Sequence, residues 1–387
     1  MFETFRDYSG KQLNVHAVGL IVSLAGVLVV APLLPEIIDY FGITSAEAGI
    51  SISFMWACNA LAQYPGGRYA DRLSVGVVLF VSQSVMIVGF LLLATATAFP
   101  VFVVGLGLIG VGYGMFETAG FVLLGTYFDE RRGRAFGVRD AAVNLGSALS
   151  ALLAVAVIGT TQWRNAFLPV LVLLGLITVG SHRLNRHTYT VSRIRLDLRT
   201  VGRRLFRSRQ TYNVLLVMSV SMFLWQGSAS FLPTYLQTAK SLTSFEATVG
   251  FSLIFVIGTV VTPLAGIVSE YWTPIKTSIV ATGFGIVGLT LLVVTESLPG
   301  LAAALFAYAV GLTAIWPVMY TYLADVLSDE TLGSDLGALR TIYFAVGSLG
   351  PAYIGTMATR FGYSAAFTSL FVCFGLTTAA LLCLARG

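Results

Sequence analysis

Glu117 is the residue whose setting carries the most chemistry. It stands in Gly112-Tyr113-Gly114-Met115-Phe116-Glu117-Thr118, inside an apolar run long enough for a bilayer-crossing helix. An ionised carboxylate among lipid tails is strongly unfavourable, so an acid there faces protein or a wet cavity, or takes a proton. Proton carriage is the leading reading. A structural carboxyl bonded to nearby hydroxyls and a binding group for a cationic solute are the alternatives. The rest of the chemical inventory is sparse. Cys58, Cys373 and Cys383 lie in apolar runs with no CxxC neighbour, and His16, His182 and His187 form no ligand cluster. No paired carboxylates and no nucleophile with a base stand out, so a disulfide framework, a zinc site and an intramembrane enzyme all lack their residues, and no cofactor or metal is expected. Gly105-Leu106-Gly107-Leu108-Ile109-Gly110 has the spacing of a dinucleotide fingerprint, but no strand precedes it. Those glycines read instead as places where helix backbones approach closely. Arg139 and Arg340 lie near predicted helix starts. A paired-arginine clamp in mid-span is therefore not expected, and highly anionic solutes are disfavoured.

The elements that must position Glu117 follow from composition. Of 387 residues, 56% are apolar and 11% charged, too few charges to cover a soluble surface. A bilayer core takes about 20 apolar residues per helix. Such windows fall near 14–38, 44–66, 74–97, 100–126, 135–159 and 165–182, then 211–236, 246–268, 275–295, 299–325, 336–358 and 364–385. The first follows Arg6 and Lys11 and is too long for the core of a cleavable signal, so it reads as a retained helix. Between the two sets lies Ser181 to Gln210, dense in arginine with Asp197 as its only acid. The chain thus divides into a bundle over 1–182, a basic linker over 183–210 and a bundle over 211–387. Twelve spans put Arg6, Lys11, Arg68, Arg72, Arg131, Arg132, Arg134, Arg139, the linker arginines, Lys276, Arg340 and Arg386 on one side, which the positive-inside rule makes cytoplasmic, together with both termini. Only Arg164, Lys240 and Arg360 fall on the other. The net charge of +5 is explained by this asymmetry without a nucleic-acid partner.

The halves echo each other at an offset of about 200 residues. Pro65 to Asp71 after the second span is answered by Leu264 to Glu270 after the eighth. Gly133 and Gly137 are answered by Gly333 and Gly337, Gly146-Ser147 by Gly347-Ser348, and Trp163 to Phe167 by Gly362 to Phe367. Each half holds an even number of spans, so the copies share one orientation, and a cleft between them is expected. Pro32, Pro35 and Pro317 mark places where helices should bend.

Together these pieces resemble the major facilitator superfamily over nearly the whole chain. The carriers are Gly67-Arg68-Tyr69-Ala70-Asp71-Arg72 between spans 2 and 3, its weaker copy Gly266 to Glu270, Arg132 to Gly137 before span 5, and Trp163-Arg164-Asn165-Ala166-Phe167 before span 6. The resemblance implies an all-α membrane protein of twelve helices in two pseudo-symmetric six-helix bundles. It also implies a gating role for Gly67, Asp71, Arg72, Gly266, Glu270 and Arg340, with Asp71 accepting from amides at the start of span 11 near Gly337 to Arg340. Spans 1, 4, 7 and 10 should line the cleft, which nominates Tyr113, Trp225, Gln226, Trp316 and Tyr320 for the solute, with Asn59, Gln63, Asn144 and Tyr343 behind them. Three departures are visible. Leu73-Ser74-Val75-Gly76 replaces the usual basic run, Leu106 replaces the usual span 4 arginine, and the Gly-Pro pair of drug antiporters falls at Gly350-Pro351 instead of Gly146-Ser147.

The expectation is a secondary transporter that moves a small solute by alternating access, coupled to protons through Glu117, acting as a monomer in the lipid bilayer. The position matching Glu117 in the second half is Trp316, so only one wall carries the acid. A transport-inactive receptor or assembly factor on the same fold is the alternative. The chain has no Asn-x-Ser/Thr sequon, which points to a prokaryotic plasma membrane.

Overall fold

The computed structural model describes residues 8–72, 74–128, 132–158, 162–184, 209–326 and 332–385. Most of the basic linker lies outside them. The described residues are helical throughout, joined by short turns. The first half comprises α1 (Tyr8–Leu28), α2 (Leu34–Phe41), α3 (Ser45–Arg72), α4 (Val75–Thr95), α5 (Phe99–Tyr127), α6 (Arg132–Val157), a 3-10 turn (Trp163–Ala166) and α7 (Phe167–Leu184). The second comprises α8 (Arg209–Ala239), α9 (Ser244–Tyr271), α10 (Pro274–Val294), α11 (Leu298–Thr313), α12 (Ile315–Val326), α13 (Leu332–Gly347), α14 (Leu349–Phe361), α15 (Tyr363–Ser369) and α16 (Phe371–Ala385). Among the described residues, ten helical stretches are long and apolar enough to cross a membrane. They include all the predicted spans except 44–66 and 336–358.

Those two exceptions have physical causes. α3 is 28 residues long and would reach across a bilayer, but serines, Asn59, Gln63 and glycines lower its hydropathy. The predicted 336–358 span is divided at Ser348 into α13 and α14. Other predicted spans are also interrupted. The 14–38 window ends as α1 at Leu28, and the turn before α2 contains Pro32, while Pro35 sits in the first turn of α2. The 299–325 window breaks at Ala314, just ahead of Pro317, whose ring cannot be accommodated by the carbonyl four residues back. The stretch from Pro65 to Asp71 continues α3 through Arg72 instead of forming a turn, and Leu264 to Glu270 likewise lies inside α9. Apolar windows stop where Gly and polar residues begin, whereas the helix needs only its backbone bonds to go on.

Packing divides the chain into two compact units, Met1–Leu33 with Phe54–Leu196, and Leu34–Ser53 with Asp197–Gly387. In the first, α4 packs along α5 and α7, and α1 along α6 and α7. In the second, α10 packs along α11 and α16, and α8 along α13, α14 and α16. Numbered as spans, these are the pairs 3·4, 3·6, 1·5 and 1·6, repeated as 9·10, 9·12, 7·11 and 7·12. The repeat seen in sequence is a repeat of packing. Close approach is made by glycine: a Cβ at Gly110 or Gly114 of α5 would strike the carbonyl oxygens of Met55 and Asn59 on α3. Residues 34–53 join the second unit through polar contacts with its helices. Ser45 and Tyr363 share a hydroxyl–hydroxyl bond of 2.7 Å, the Ala46 amide donates to Thr359 Oγ1 at 2.9 Å, and the Ala352 amide donates to Ser53 Oγ at 2.8 Å.

Candidate functional site

Glu117 lies two to three turns from the end of α5, on the face that also presents Tyr113, Gly120 and Phe121. It is buried, as membrane position requires, but it is not the isolated acid that the apolar run suggests. Arg139 of α6 donates from Nη2 to Glu117 Oε1 at 2.7 Å, with the two side chains only 9% and 8% exposed. The same guanidinium lies 4.2 Å from the centroid of the Phe121 ring and donates from Nη1 to Asp140 Oδ1 at 2.8 Å, at the more exposed edge of the cluster. A charge-assisted bond of this length is the arrangement that lets two charges share a dry interior. Arg139, read from sequence as a boundary residue, is thus the counter-charge of Glu117.

His16 of α1 completes the cluster. It is buried, its ring centroid is 4.7 Å from that of Phe116, and its edge lies against Gly120 so closely that a Cβ there would collide with Nε2. The histidine interacts electrostatically with both Arg139 and Glu117. Among the described residues neither ring nitrogen has a hydrogen-bond partner, and neither does Arg139 Nε.

A signal for the Glu117–Arg139 pair is present in the sequence. α5 and α6 are consecutive antiparallel helices, and residues 117 and 139 are symmetric about Phe128 at their junction. Glu117 stands 10 residues before the end of α5 and Arg139 7 residues after the start of α6, a difference in level that the long arginine side chain spans. His16 has no comparable signal, since α1 and α5 are far apart in sequence.

The other predicted solute residues separate into groups. In the first unit Gln63 Nε2 donates to Asn59 Oδ1 at 2.9 Å, both fully buried. Tyr113 is buried one turn before Glu117, and Asn144 is half-buried on α6. In the second unit Tyr320 and Tyr343 share a hydroxyl–hydroxyl bond of 2.7 Å, Arg340 Nη1 donates to Tyr320 at 3.2 Å, and Trp316 lies 6.0 Å from the Tyr343 ring. Arg340 is buried, with its guanidinium 5.3 Å from the Phe344 ring centroid. Trp225 packs edge-on against Phe255 at 5.8 Å, and Gln226 is buried beside it in sequence.

For the gating residues, the side chains of Asp71 and Arg72 lie outside the described residues. Among the described residues, Gly67 has only Thr118 near its Cβ position and Gly266 has nothing within 4 Å of its own, and Glu270 is exposed. Gly66, not singled out from sequence, is the tight position there: a Cβ would sit 2.7 Å from Thr118 Oγ1 and 2.8 Å from Met115 Cα.

Two units with one packing scheme, and a charged cluster inside the first, define a class of membrane carriers. The chain matches the Major Facilitator Superfamily over residues 17–351 and again over 214–386, and it belongs to that family. It is a multi-pass membrane transporter of small solutes, not an enzyme.

Among its relatives, the "Probable nitrate transporter NarT" of Staphylococcus carnosus (strain TM300) is 24% identical over 79% of this chain and 76% of its own. The protein of the same name from Staphylococcus aureus (strain N315) is 21% identical over 97% and 96%. The "Uncharacterized MFS-type transporter YttB" of Bacillus subtilis (strain 168) is 21% identical over 94% and 92%. In fold the chain is similar to a bacterial homolog of the human lysosomal transporter Spinster, solved inward-facing and unoccupied, at a TM-score of 0.86 and 16% identity over 98% of both chains. It is also similar to the human organic anion transporter MFSD10 (TETRAN), at a TM-score of 0.72 and 16% identity over 97% of this chain and 100% of that one.

Proposed function

We propose that this chain is a proton-coupled secondary transporter that moves a small monovalent anion, of the size and charge of nitrate, across a bacterial plasma membrane by alternating access. The observation that carries the reading is the buried 2.7 Å pair of Glu117 and Arg139. A carboxylate held on a guanidinium in a dry interior responds to two species. A proton on the carboxylate removes one half of the pair, and an anion can take the place of that half. A site built this way links the two in one direction: with the proton on, the guanidinium has a charge to satisfy. The relatives named as probable nitrate transporters support the size and charge of the solute, and their matches run along most of both chains.

The test is nitrate uptake by purified protein in liposomes, with and without an inward proton gradient, beside Glu117→Gln. Wild type is expected to accumulate nitrate against its gradient when protons flow in. Glu117→Gln is expected to retain nitrate exchange but lose the dependence on the proton gradient. Gradient-driven accumulation at the wild-type level in Glu117→Gln would show that the proton is carried elsewhere.

A further inference from the structure

Arg139 offers its neighbours a half-filled fork. The Nε and Nη2 hydrogens of an arginine lie on one edge of the guanidinium plane and suit two oxygens of a single oxyanion. Glu117 Oε1 accepts from Nη2, while among the described residues the adjacent Nε has no partner. His16 repeats the pattern. A neutral imidazole always carries one N–H, yet neither nitrogen of this buried ring is bonded among the described residues. Buried donors left unbonded are rare because each forfeits its hydration for nothing. Two of them sit in one cluster with an acid, since His16 interacts electrostatically with both Arg139 and Glu117.

We propose that Arg139 and His16 bind the transported oxyanion, and that Glu117 is the internal acceptor holding the guanidinium when no anion is present. This rests on the reading that the solute is a small anion. A planar trigonal oxyanion supplies acceptors only. It fills the Nε/Nη2 edge in two-point fashion and takes the imidazole N–H with a third oxygen, after Glu117 accepts a proton and withdraws from Nη2. The titratable or charged side chains at the site among the described residues are His16 from α1, Glu117 from α5, and Arg139 and Asp140 from α6. Asp140 holds Nη1, on the other side of the guanidinium, and so does not compete for the fork. Gly120 is the position that admits the imidazole, because any side chain there would occupy the place of Nε2.

The experiment is calorimetric titration of the full chain in lipid nanodiscs with sodium nitrate, using sodium gluconate as the ionic-strength control. His16→Phe keeps an aromatic ring and removes both nitrogens, and Arg139→Lys keeps the charge and removes the fork. Each is expected to weaken nitrate binding by about tenfold or more, the loss of a hydrogen bond to a charged ligand. Glu117→Gln is expected to bind nitrate at least as tightly as wild type at pH 8 and to lose the tightening that wild type shows as pH falls. Gly120→Ala, which keeps the histidine but displaces its ring, serves if the first two variants do not fold, and it too should bind about tenfold more weakly. Wild-type affinity in folded His16→Phe and Arg139→Lys, or in Gly120→Ala, overturns the site, as does a wild-type chain that binds no nitrate. The two readings fail separately. Unchanged affinity in these variants together with lost proton coupling in Glu117→Gln removes the site and leaves the transport reading. Weakened affinity with uptake indifferent to the proton gradient does the reverse.

Discussion

Replacing Arg139 by Met keeps the length of the side chain and removes the cation from Glu117. The carboxyl, 8% exposed in the pair, then has two courses. Remaining charged in a dry interior without its partner costs about 3–5 kcal/mol. Taking a proton at pH 7 costs a carboxyl of ordinary acidity about 3.7 kcal/mol, from roughly 2.7 pH units at about 1.36 kcal/mol each. The cheaper course sets the loss, so Arg139→Met should destabilise the protein by about 3–4 kcal/mol at pH 7. The sign with pH follows from which state holds the proton. The folded variant keeps it on Glu117 while the unfolded chain releases it above its ordinary value. The penalty therefore grows as pH rises and shrinks to about 1 kcal/mol at pH 5. Glu117→Gln in the same chain removes the charge to be buried, so the double variant should recover most of the loss at pH 7 and show no dependence on pH. The assay is denaturant unfolding of the full chain in mixed micelles at pH 5, 6 and 7, followed by tryptophan fluorescence. A penalty for Arg139→Met that is flat across that range, or a double variant as unstable as the single, would refute the account of the pair.

Gly288 of α10 lies against the backbone of α11, where a Cβ would overlap the Tyr308 amide and stand 2.7 Å from the Ala307 carbonyl carbon. Gly288→Ala should therefore cost about 2 kcal/mol or more, read in the same unfolding assay, because backbone cannot turn aside as a side chain can. Lys240 donates from Nζ to the Val293 carbonyl at 2.8 Å and to Glu296 at 3.1 Å, with the lysine side chain 3% exposed and the glutamate 77%. Lys240→Met should thus destabilise by about 2 kcal/mol, the loss of a buried charged bond to a helix end, whereas Glu296→Ala should cost under about 1 kcal/mol. Arg164→Met should likewise lower stability by about 2 kcal/mol, because Nε donates to the Ala96 carbonyl at 2.6 Å in a buried position beside the Trp163 ring.

The helices were legible because a bilayer-crossing helix announces itself by length and hydropathy, and the repeated glycines and the 163–167 and 362–367 turns fixed the two-fold use of one bundle. Interruptions were not, since a window of about 20 residues averages over a break of one or two. Ser348 divides a predicted span with no proline at the break, and Ala314 does so with one three residues later. Arg164 and Lys240 were exceptions to the charge asymmetry, and packing accounts for both. Each cation bonds a carbonyl at the end of a helix, Arg164 that of α4 and Lys240 that of α10, where the helix dipole favours positive charge. These are the third spans of their two halves, while the third exception, Arg360, lies exposed in the last turn of α14. Charge counting sees only the side of the membrane; the helix end that each cation serves is a tertiary fact.

The same repeat explains why the acid needed coordinates to be understood. Arg139 and Arg340 enter corresponding helices of the two halves, and each is buried against an aromatic ring, Phe121 in one case and Phe344 in the other. One acceptor differs between them. Arg139 meets the carboxylate of Glu117, whereas Arg340 meets the hydroxyl of Tyr320, itself bonded to Tyr343, and the place of Glu117 is taken by Trp316. Corresponding arginine positions in the two halves thus support two arrangements: an ion pair with a carboxylate in the first, and a guanidinium bonded to a pair of linked tyrosine hydroxyls in the second. Sequence comparison of the halves reveals the substitution of Trp for Glu. That both halves carry a buried arginine at this position, one bonded to a carboxylate and one to a tyrosine hydroxyl, emerges only from the packing of α5 with α6 and of α12 with α13.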